Sequence, residues 1–134
     1  MSLPDFTSPY FEFCPDDSTD DVTVIRLTQS HLTDEDNINV FGNDLLNLVD
    51  KCDCQKIVVN AAAVVYVTSS VLGKLITLHR KLHRGDGRMI LCCVGPEFMD
   101  VLETSRLHTY FTVCDTVAAA VALLENDEPD SKVG

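Results

Sequence analysis

The sequence predicts a single α/β domain with a mixed, mainly parallel sheet of four to five strands and about four helices. Short apolar runs alternate along the chain with amphipathic helical stretches, which is the element order of an open parallel sheet. The chain has 134 residues, a length that fits one domain. Hydrophobic residues make up 46% of it and charged residues 23%, a balance typical of chains that form a packed core.

Five segments carry strand patterns. Val22–Leu27 alternates between β-branched and polar or charged residues, which indicates a strand with one buried face. Lys56–Asn60 and Arg88–Val94 are short apolar runs, as expected of central strands covered on both faces. Tyr10–Phe13 is predicted to be a first, edge strand, and Phe111–Val113 a short final one.

Four segments carry helical patterns. Their apolar residues recur at spacings of three and four, or they are rich in alanine and leucine. The predicted helices are Asp34–Asp50, Ser70–Arg84, Pro96–Thr104 and Thr116–Leu124. Thr33 or Asp34 is the expected cap of the first helix, and Asp115 that of the fourth. The sequence Gly85-Asp86-Gly87 is expected to end the second.

Charge and hydropathy exclude some partners. Ten Lys and Arg stand against 21 Asp and Glu, a net charge of −11, whereas nucleic-acid backbones are bound by clustered cations. No apolar run approaches the roughly 18 residues of a membrane span, and no signal segment opens the chain. We therefore expect a cytoplasmic protein that binds neither nucleic acid nor membrane. Residues 9–125 are expected to form the domain, between an irregular N-terminus over 1–8 and an acidic flexible tail over 126–134.

The cysteines are expected to be reduced thiols. There are six of them, and several lie in predicted core strands, where a thiol packs as a small apolar group. Without an export signal, a disulfide framework is not expected. The six are Cys14, Cys52, Cys54, Cys92, Cys93 and Cys114.

Motifs for catalysis and for metal binding are missing from the sequence. It contains no nucleophile elbow, phosphate-binding glycine loop or dinucleotide motif. His79 and His83 stand four apart, a spacing that can bind a metal, but Arg80, Lys81 and Arg84 would repel a cation. The histidines are therefore expected on a solvated polar helix face. We expect a protein that is not an enzyme and needs no cofactor.

The adjacent serines Ser69 and Ser70 fall at the expected start of the second helix. The first N–H groups of a helix lack intrahelical partners, and the helix dipole is positive at that end. A phosphoryl group on such a serine would therefore be stabilised, and Lys74, one turn on, would supply a counter-charge. From position alone, the more common role of such a serine is an ordinary helix cap, which contributes about 1 kcal/mol and has no further role.

The segment from Val58 to Leu75 resembles the signature of the STAS family, the sulphate-transporter and anti-sigma-antagonist domains. Its Val67-Thr68-Ser69-Ser70-Val71-Leu72-Gly73 follows the family's Asp-Ser-Ser-Gly-Leu-Gly, which opens a helix after a Val/Leu-rich strand. Gly87–Leu91 is similar to the family's Gly-x-Leu-x-Leu strand, and Pro96–Val101, Arg106-Leu107 and Phe111 to its closing helix, loop and strand. The resemblance covers roughly residues 20–124.

This resemblance implies a bacterial anti-sigma factor antagonist, a regulatory domain that binds an anti-sigma factor, often itself a serine kinase. By position, the phosphate acceptor would be Ser69, with Ser70 as second choice. Thr68, Val71 and Lys74 would contact the partner near this switch. The domain would be a monomer or a weak homodimer.

The sequence departs from the family pattern at three positions, of which Thr68 and Val71 favour a constitutive scaffold. Thr68 and Asn60 stand where the pattern has Asp, and Val71 where it has Gly. A constitutive scaffold, or a small-ligand-sensing module without a phospho-switch, therefore remains the second interpretation. Thr68 itself is either a second hydroxyl in the switch loop or a residue suited to the strand-to-helix bend.

Overall fold

The computed structural model describes residues 8–19, 22–32, 38–50 and 54–126. Within them the chain forms seven strands and four helices, which alternate through most of its length. The strands are β1 (Phe11–Phe13), β2 (Val22–Leu27), β3 (His31–Leu32), β4 (Lys56–Asn60), β5 (Tyr66–Val67), β6 (Arg88–Cys92) and β7 (Thr112–Cys114). The helices are α1 (Ile38–Asp50), α2 (Ser69–Arg84), α3 (Pro96–Thr104) and α4 (Val117–Glu125).

The main sheet has five strands in the order β1-β2-β4-β6-β7. β1 pairs with β2 antiparallel, and the other three pairs are parallel. Val24, Val58 and Ile90 lie in register across its centre. The predicted mixed, mainly parallel sheet is therefore confirmed, with Lys56–Asn60 as its central strand.

Helices cover both faces of this sheet. Ile25, Ile57 and Leu91 point into the larger core together with α1, α2 and α3. Val24, Val58 and Ile90 point to the other face, where α4 is the one described helix that packs over them. This arrangement follows from the two-residue period of a strand, which sends alternate side chains to opposite faces. None of the described helices is long and apolar enough to cross a membrane.

Several boundaries differ from the predicted ones. β6 ends at Cys92 rather than Val94, because Cys93 adopts a left-handed φ of 59° that turns the chain out of the sheet. β7 is shifted by one residue: Phe111 is buried just before the strand, its N–H bonded to the Leu107 carbonyl. Tyr10 precedes β1 and packs edge-on against Phe41, with ring centroids 5.5 Å apart.

The helix ends also need corrections. Thr116, not Asp115, caps α4: its Oγ1 accepts a hydrogen bond from the Ala119 N–H at 3.1 Å. The left-handed residue after α2 is Asp86, with φ of 64°, and not one of the flanking glycines. The described part of α1 starts at Ile38, and the predicted caps Thr33 and Asp34 lie outside the described residues. Most of the predicted irregular ends also lies outside them.

A second, two-stranded sheet was not predicted. β3 and β5 pair in parallel, with His31 opposite Tyr66 and Leu32 opposite Val67. The Ser30 carbonyl accepts the N–H groups of Val65 and Tyr66, and the Leu32 carbonyl accepts that of Thr68. This small sheet fixes the segment that leads into α2. His31 is part of it.

Candidate functional site

The site is the first turn of α2. Thr68 has an extended backbone, with φ of −97° and ψ of 168°, and its carbonyl accepts the N–H groups of Val71 and Leu72 at 3.1 and 3.2 Å. The helix thus begins at Ser69, one residue before the predicted start. Thr68 lies at the strand-to-helix bend, which agrees with the interpretation of this residue as one suited to the bend.

Ser69 and Ser70 are the first two residues of the helix, and both are exposed. The N-cap position is held by Thr68, whose side chain makes no capping hydrogen bond, and the first turn contains no acidic residue. Neither serine therefore serves as the cap. No acidic side chain from the first turn therefore neutralises the positive end of the helix dipole.

Two open cavities flank this turn. The first, here called the α3 cavity, has a volume of about 530 Å³ and is lined by Tyr66, Val67, Thr68, Ser69, Ser70, Asp100, Val101, Thr104 and Ser105. The second, the α1 cavity, has about 580 Å³ and is lined by Ile38, Asn39, Ser70, Gly73, Lys74 and Thr77. Ser69 belongs to the α3 cavity, whereas Ser70 lies between the two.

Lys74 lies on the α1 side of the turn. Its Nζ donates to Asn39 Oδ1 at 3.4 Å. Its aliphatic chain crosses Gly42 so closely that a Cβ on Gly42 would lie 2.7 Å from Lys74 Cδ. Lys74 thus lines the cavity shared with Ser70, and not the one that contains Ser69.

The predicted contact residues differ in accessibility. Lys74 and Thr68 are half-buried, while Val71 is fully buried in the core. The expectation that Val71 contacts a partner is therefore wrong for its side chain, because the third position of α2 faces the sheet. The exposed apolar side chains that precede the serines in the chain are Val65 and Tyr66, with 46% and 49% of their surface accessible, and Tyr66 lines the α3 cavity together with both serines.

Asp100 is a site residue that the sequence patterns missed. It lies on α3, which packs against β5 and so comes beside the start of α2. Its neighbours on α3, Phe98 and Leu102, are buried and hold the helix in place. Only this long-range packing brings Asp100 to the serines, and no local pattern in the sequence carries that information.

Of the two histidines on α2, His83 is exposed, as expected of a solvated helix face, whereas His79 is partly buried. The His79 and His83 rings are stacked, with centroids 6.4 Å apart. His79 also packs edge-on against Tyr110 and Phe111, at 4.8 and 5.8 Å, and its Nδ1 is buried without a hydrogen-bond partner. Burial, together with the charges of His83 and Arg88, lowers the pKa of His79 below its ordinary value of 6.5. The described residues include no cluster of three potential metal ligands.

The cysteines of the described chain are free thiols. They are Cys14, Cys54, Cys92, Cys93 and Cys114, while Cys52 lies outside the described residues. Burial, and secondarily the neighbouring Cys93, strongly raises the pKa of Cys92. Burial and Asp17 raise the pKa of Cys14. These two thiols therefore resist ionisation, as expected of packing groups rather than nucleophiles.

Asn60, at the end of β4, has a structural partner. Its Oδ1 accepts the N–H of Ala62 at 2.9 Å. An amide in this position turns the chain after the central strand, which is a common use of asparagine.

Comparison with known proteins identifies a family whose profile matches this chain. The sequence profile of the STAS domain matches residues 16–120. A comparison with curated protein sequences finds no match.

Solved structures with the same fold include three from different bacteria. An anti-sigma-factor antagonist (STAS) domain protein from Planctomyces limnophilus is 17% identical over 87% of this chain and 98% of that chain, with a TM-score of 0.75. An anti-sigma factor antagonist from Mycobacterium paratuberculosis is 16% identical over 90% and 100% of the two chains, with a TM-score of 0.71. The phosphorylated Bacillus cell fate determinant SpoIIAA is 20% identical over 84% and 98%, with a TM-score of 0.62.

Proposed function

Because the chain belongs to the STAS domain family, we propose that it is a regulatory binding protein, an anti-sigma factor antagonist controlled by serine phosphorylation. In this role it binds an anti-sigma factor and thereby releases a sigma factor. The domain is a substrate of a serine kinase and does not itself catalyse a reaction.

The exposed Ser69 at the start of α2 is the observation that carries this proposal. The residue is exposed to a kinase, and the N–H groups of Ser69 and Ser70, which have no acceptor within the helix, can bind an anionic group. A kinase would transfer the γ-phosphoryl group of ATP to the serine Oγ, releasing ADP and a proton. One structural neighbour, SpoIIAA, is described in both phosphorylated and unphosphorylated forms, which supports the same chemistry here.

The contact surface of the unmodified protein would include the exposed Val65 and Tyr66, beside Ser69. Apolar side chains next to a polar rim are typical of protein-binding surfaces. A phosphoryl group on Ser69 would add about −1.5 to −2 charge at the centre of this surface. Desolvating that charge against a partner is unfavourable, so capture would weaken.

Two variants test the switch. Purified protein is incubated with ATP and each kinase-type anti-sigma factor of the source organism, and phosphate transfer and binding are measured. Ser69→Ala should bind but accept no phosphate, whereas Ser69→Asp should lose at least about tenfold in affinity because of its charge. Ser70→Ala should still accept phosphate. Thr77→Asp, an exposed charge two turns along α2, is the matched control and should bind as the wild type does.

A constitutive scaffold is the second candidate. It is favoured by Thr68 and Val71, which replace the acidic residue and the glycine of the family signature. If Ser69→Asp binds as tightly as the wild type and no phosphate is transferred, the scaffold interpretation holds and the switch is wrong.

A further inference from the structure

We propose that Asp100 opposes a phosphoryl group on Ser69 across the α3 cavity, so that phosphorylation loosens α3 from the start of α2. The inference rests on the proposed function, since it takes Ser69 as the modified residue. It assigns Asp100 as a regulatory positioning residue, with α3 as the element that responds.

The composition of the α3 cavity is the first argument. Its nine lining residues include the carboxylate of Asp100 and no Lys, Arg or His. A sphere with the cavity's volume would be about 10 Å across, close to the Debye length of roughly 8 Å at physiological salt. At 0.01 M salt, where the Debye length is about 30 Å, a charge on Ser69 would act on Asp100 across a space of this size with little screening.

The position of the nearest expected cation is the second argument. Lys74 follows Ser70 by one turn, yet its ammonium donates to Asn39 of α1 and its chain crosses Gly42. It lines the α1 cavity and not the α3 cavity. A phosphoryl group on Ser69 would thus face a carboxylate across the cavity it enters, with the ammonium on the opposite side of the helix start.

The third argument is the character of α3 itself. The helix has nine residues, of which Glu97, Asp100 and Glu103 are acidic and none is basic. No described residue forms an ion pair with Asp100. The helix packs through the buried Phe98 and Leu102 and the partly buried Met99 and Val101, and its other five residues are exposed. A short surface helix of this kind can open locally without unfolding of the whole domain.

A double-mutant cycle in the full chain measures the repulsion. Ser69→Asp is combined with Asp100→Asn, and urea unfolding is followed for both single variants and the double variant. The helix dipole favours Asp at position 69 in either background and cancels in the cycle. We expect Ser69→Asp to be less favourable with Asp100 present, by up to roughly two-fold in the unfolding equilibrium constant at low salt, the lower end of the range for exposed charge pairs.

Matched variants make the result specific. Asp100→Glu keeps the charge and should keep the coupling to Ser69→Asp. Glu103→Gln removes an exposed charge from the same helix outside the cavity and should show little coupling. The coupling should be largest at low salt and vanish near 1 M salt, where the Debye length is only about 3 Å.

Amide hydrogen exchange reports on the movement of α3. Exchange of the α3 amides should be faster in Ser69→Asp than in the wild type, and Asp100→Asn should restore the slower rate. Protein carrying phosphoserine at position 69 should show a larger effect than Ser69→Asp, because its charge is larger.

The proposal is overturned if Ser69→Asp has the same effect with and without Asp100, if the coupling persists in 1 M salt, or if α3 exchange does not change. None of these measurements needs an anti-sigma factor. The coupling to Asp100 can therefore be absent while Ser69→Asp still abolishes binding of the anti-sigma factor. The coupling can equally be present even if no anti-sigma factor binds.

Discussion

At the scale of single residues, His79 shows how tertiary packing changes a side chain's chemistry. The residue stands on a helix rich in cations, yet the loop that carries Tyr110 and Phe111 folds over its ring. Its buried Nδ1 has no partner to receive or supply a proton. The neutral imidazole is therefore the form that fits, and protonation costs both desolvation and repulsion from His83 and Arg88.

This environment predicts a pH dependence with a defined sign. The unfolded chain binds a proton at His79 near pH 6.5, whereas the folded chain binds it only at lower pH. Unfolding thus takes up a proton in that interval, and stability falls as the pH drops from about 7 through it. Histidine NMR titration should show His79 protonating below pH 6.5.

Two variants serve as controls for that titration. His79→Phe should remove most of the fall in the free energy of unfolding as the pH drops from about 7. His83→Gln, at an exposed position, should leave much of that fall in place. A His79 resonance that titrates above pH 6.5 would contradict the assignment.

The same scale shows what the sequence could tell about the site. The exposure of Ser69 follows from a local pattern, a polar pair between an apolar segment and an amphipathic helix. The direction of Lys74 depends on the space left by Gly42 on another helix, and the nearness of Asp100 depends on how α3 packs. Those two facts arise from tertiary contacts, which a single sequence does not display.

At the scale of elements, the caps distinguish neighbouring polar residues. Asp115 and Thr116 both have side chains that cap helices well. The extended backbone at Thr116, with φ of −133° and ψ of 160°, aims its Oγ1 at the Ala119 N–H. A shift of one residue in the helix start decides whether Asp115 or Thr116 caps α4. The sequence pattern predicts helix starts only to within one or two residues.

A pair of substitutions checks this cap. Thr116→Ala should lower the free energy of unfolding by about 1 kcal/mol, since it leaves the Ala119 N–H without its partner. Asp115→Ala should change it by less than about 0.5 kcal/mol. Urea unfolding of the two variants gives the comparison. An equal or larger loss from Asp115→Ala would show that the predicted cap was right after all.

The strands β3 and β5 could not be predicted from the sequence pattern because they are too short. β3 and β5 have two residues each, too few for an alternating pattern to appear. Their pairing joins segments more than 30 positions apart. The longer strands β2, β4 and β6 were predicted because five or six residues suffice to show an apolar pattern. The single buried face predicted for β2 is wrong: all its residues except Arg26 are buried, because helices cover both faces of the sheet.

At the scale of the whole molecule, the described cysteines are divided between the two cores on opposite faces of the main sheet. Cys92 is buried under the α4 layer, with Cys14, Cys93 and Cys114 packed against the same cluster. Cys54 is buried in the larger core. They behave as small apolar side chains that fill space between sheet and helix.

Thiol counting tests this distribution. Protein that has been reduced, desalted and unfolded should show all six cysteines reacting with a thiol reagent. In the native state Cys54 and Cys92 should react slowest, because they are buried and the pKa of Cys92 is raised. Four or fewer reactive thiols in the unfolded protein would contradict the expectation of free cysteines.

The two outer strands of the main sheet, β1 and β7, are three residues long. An exposed edge is a template on which another chain can add a strand, and its hazard grows with its length and flatness. Edges this short offer an incoming strand only a few hydrogen bonds, too few to hold it in register. We therefore expect strand addition at these two edges to contribute little to self-association of the protein.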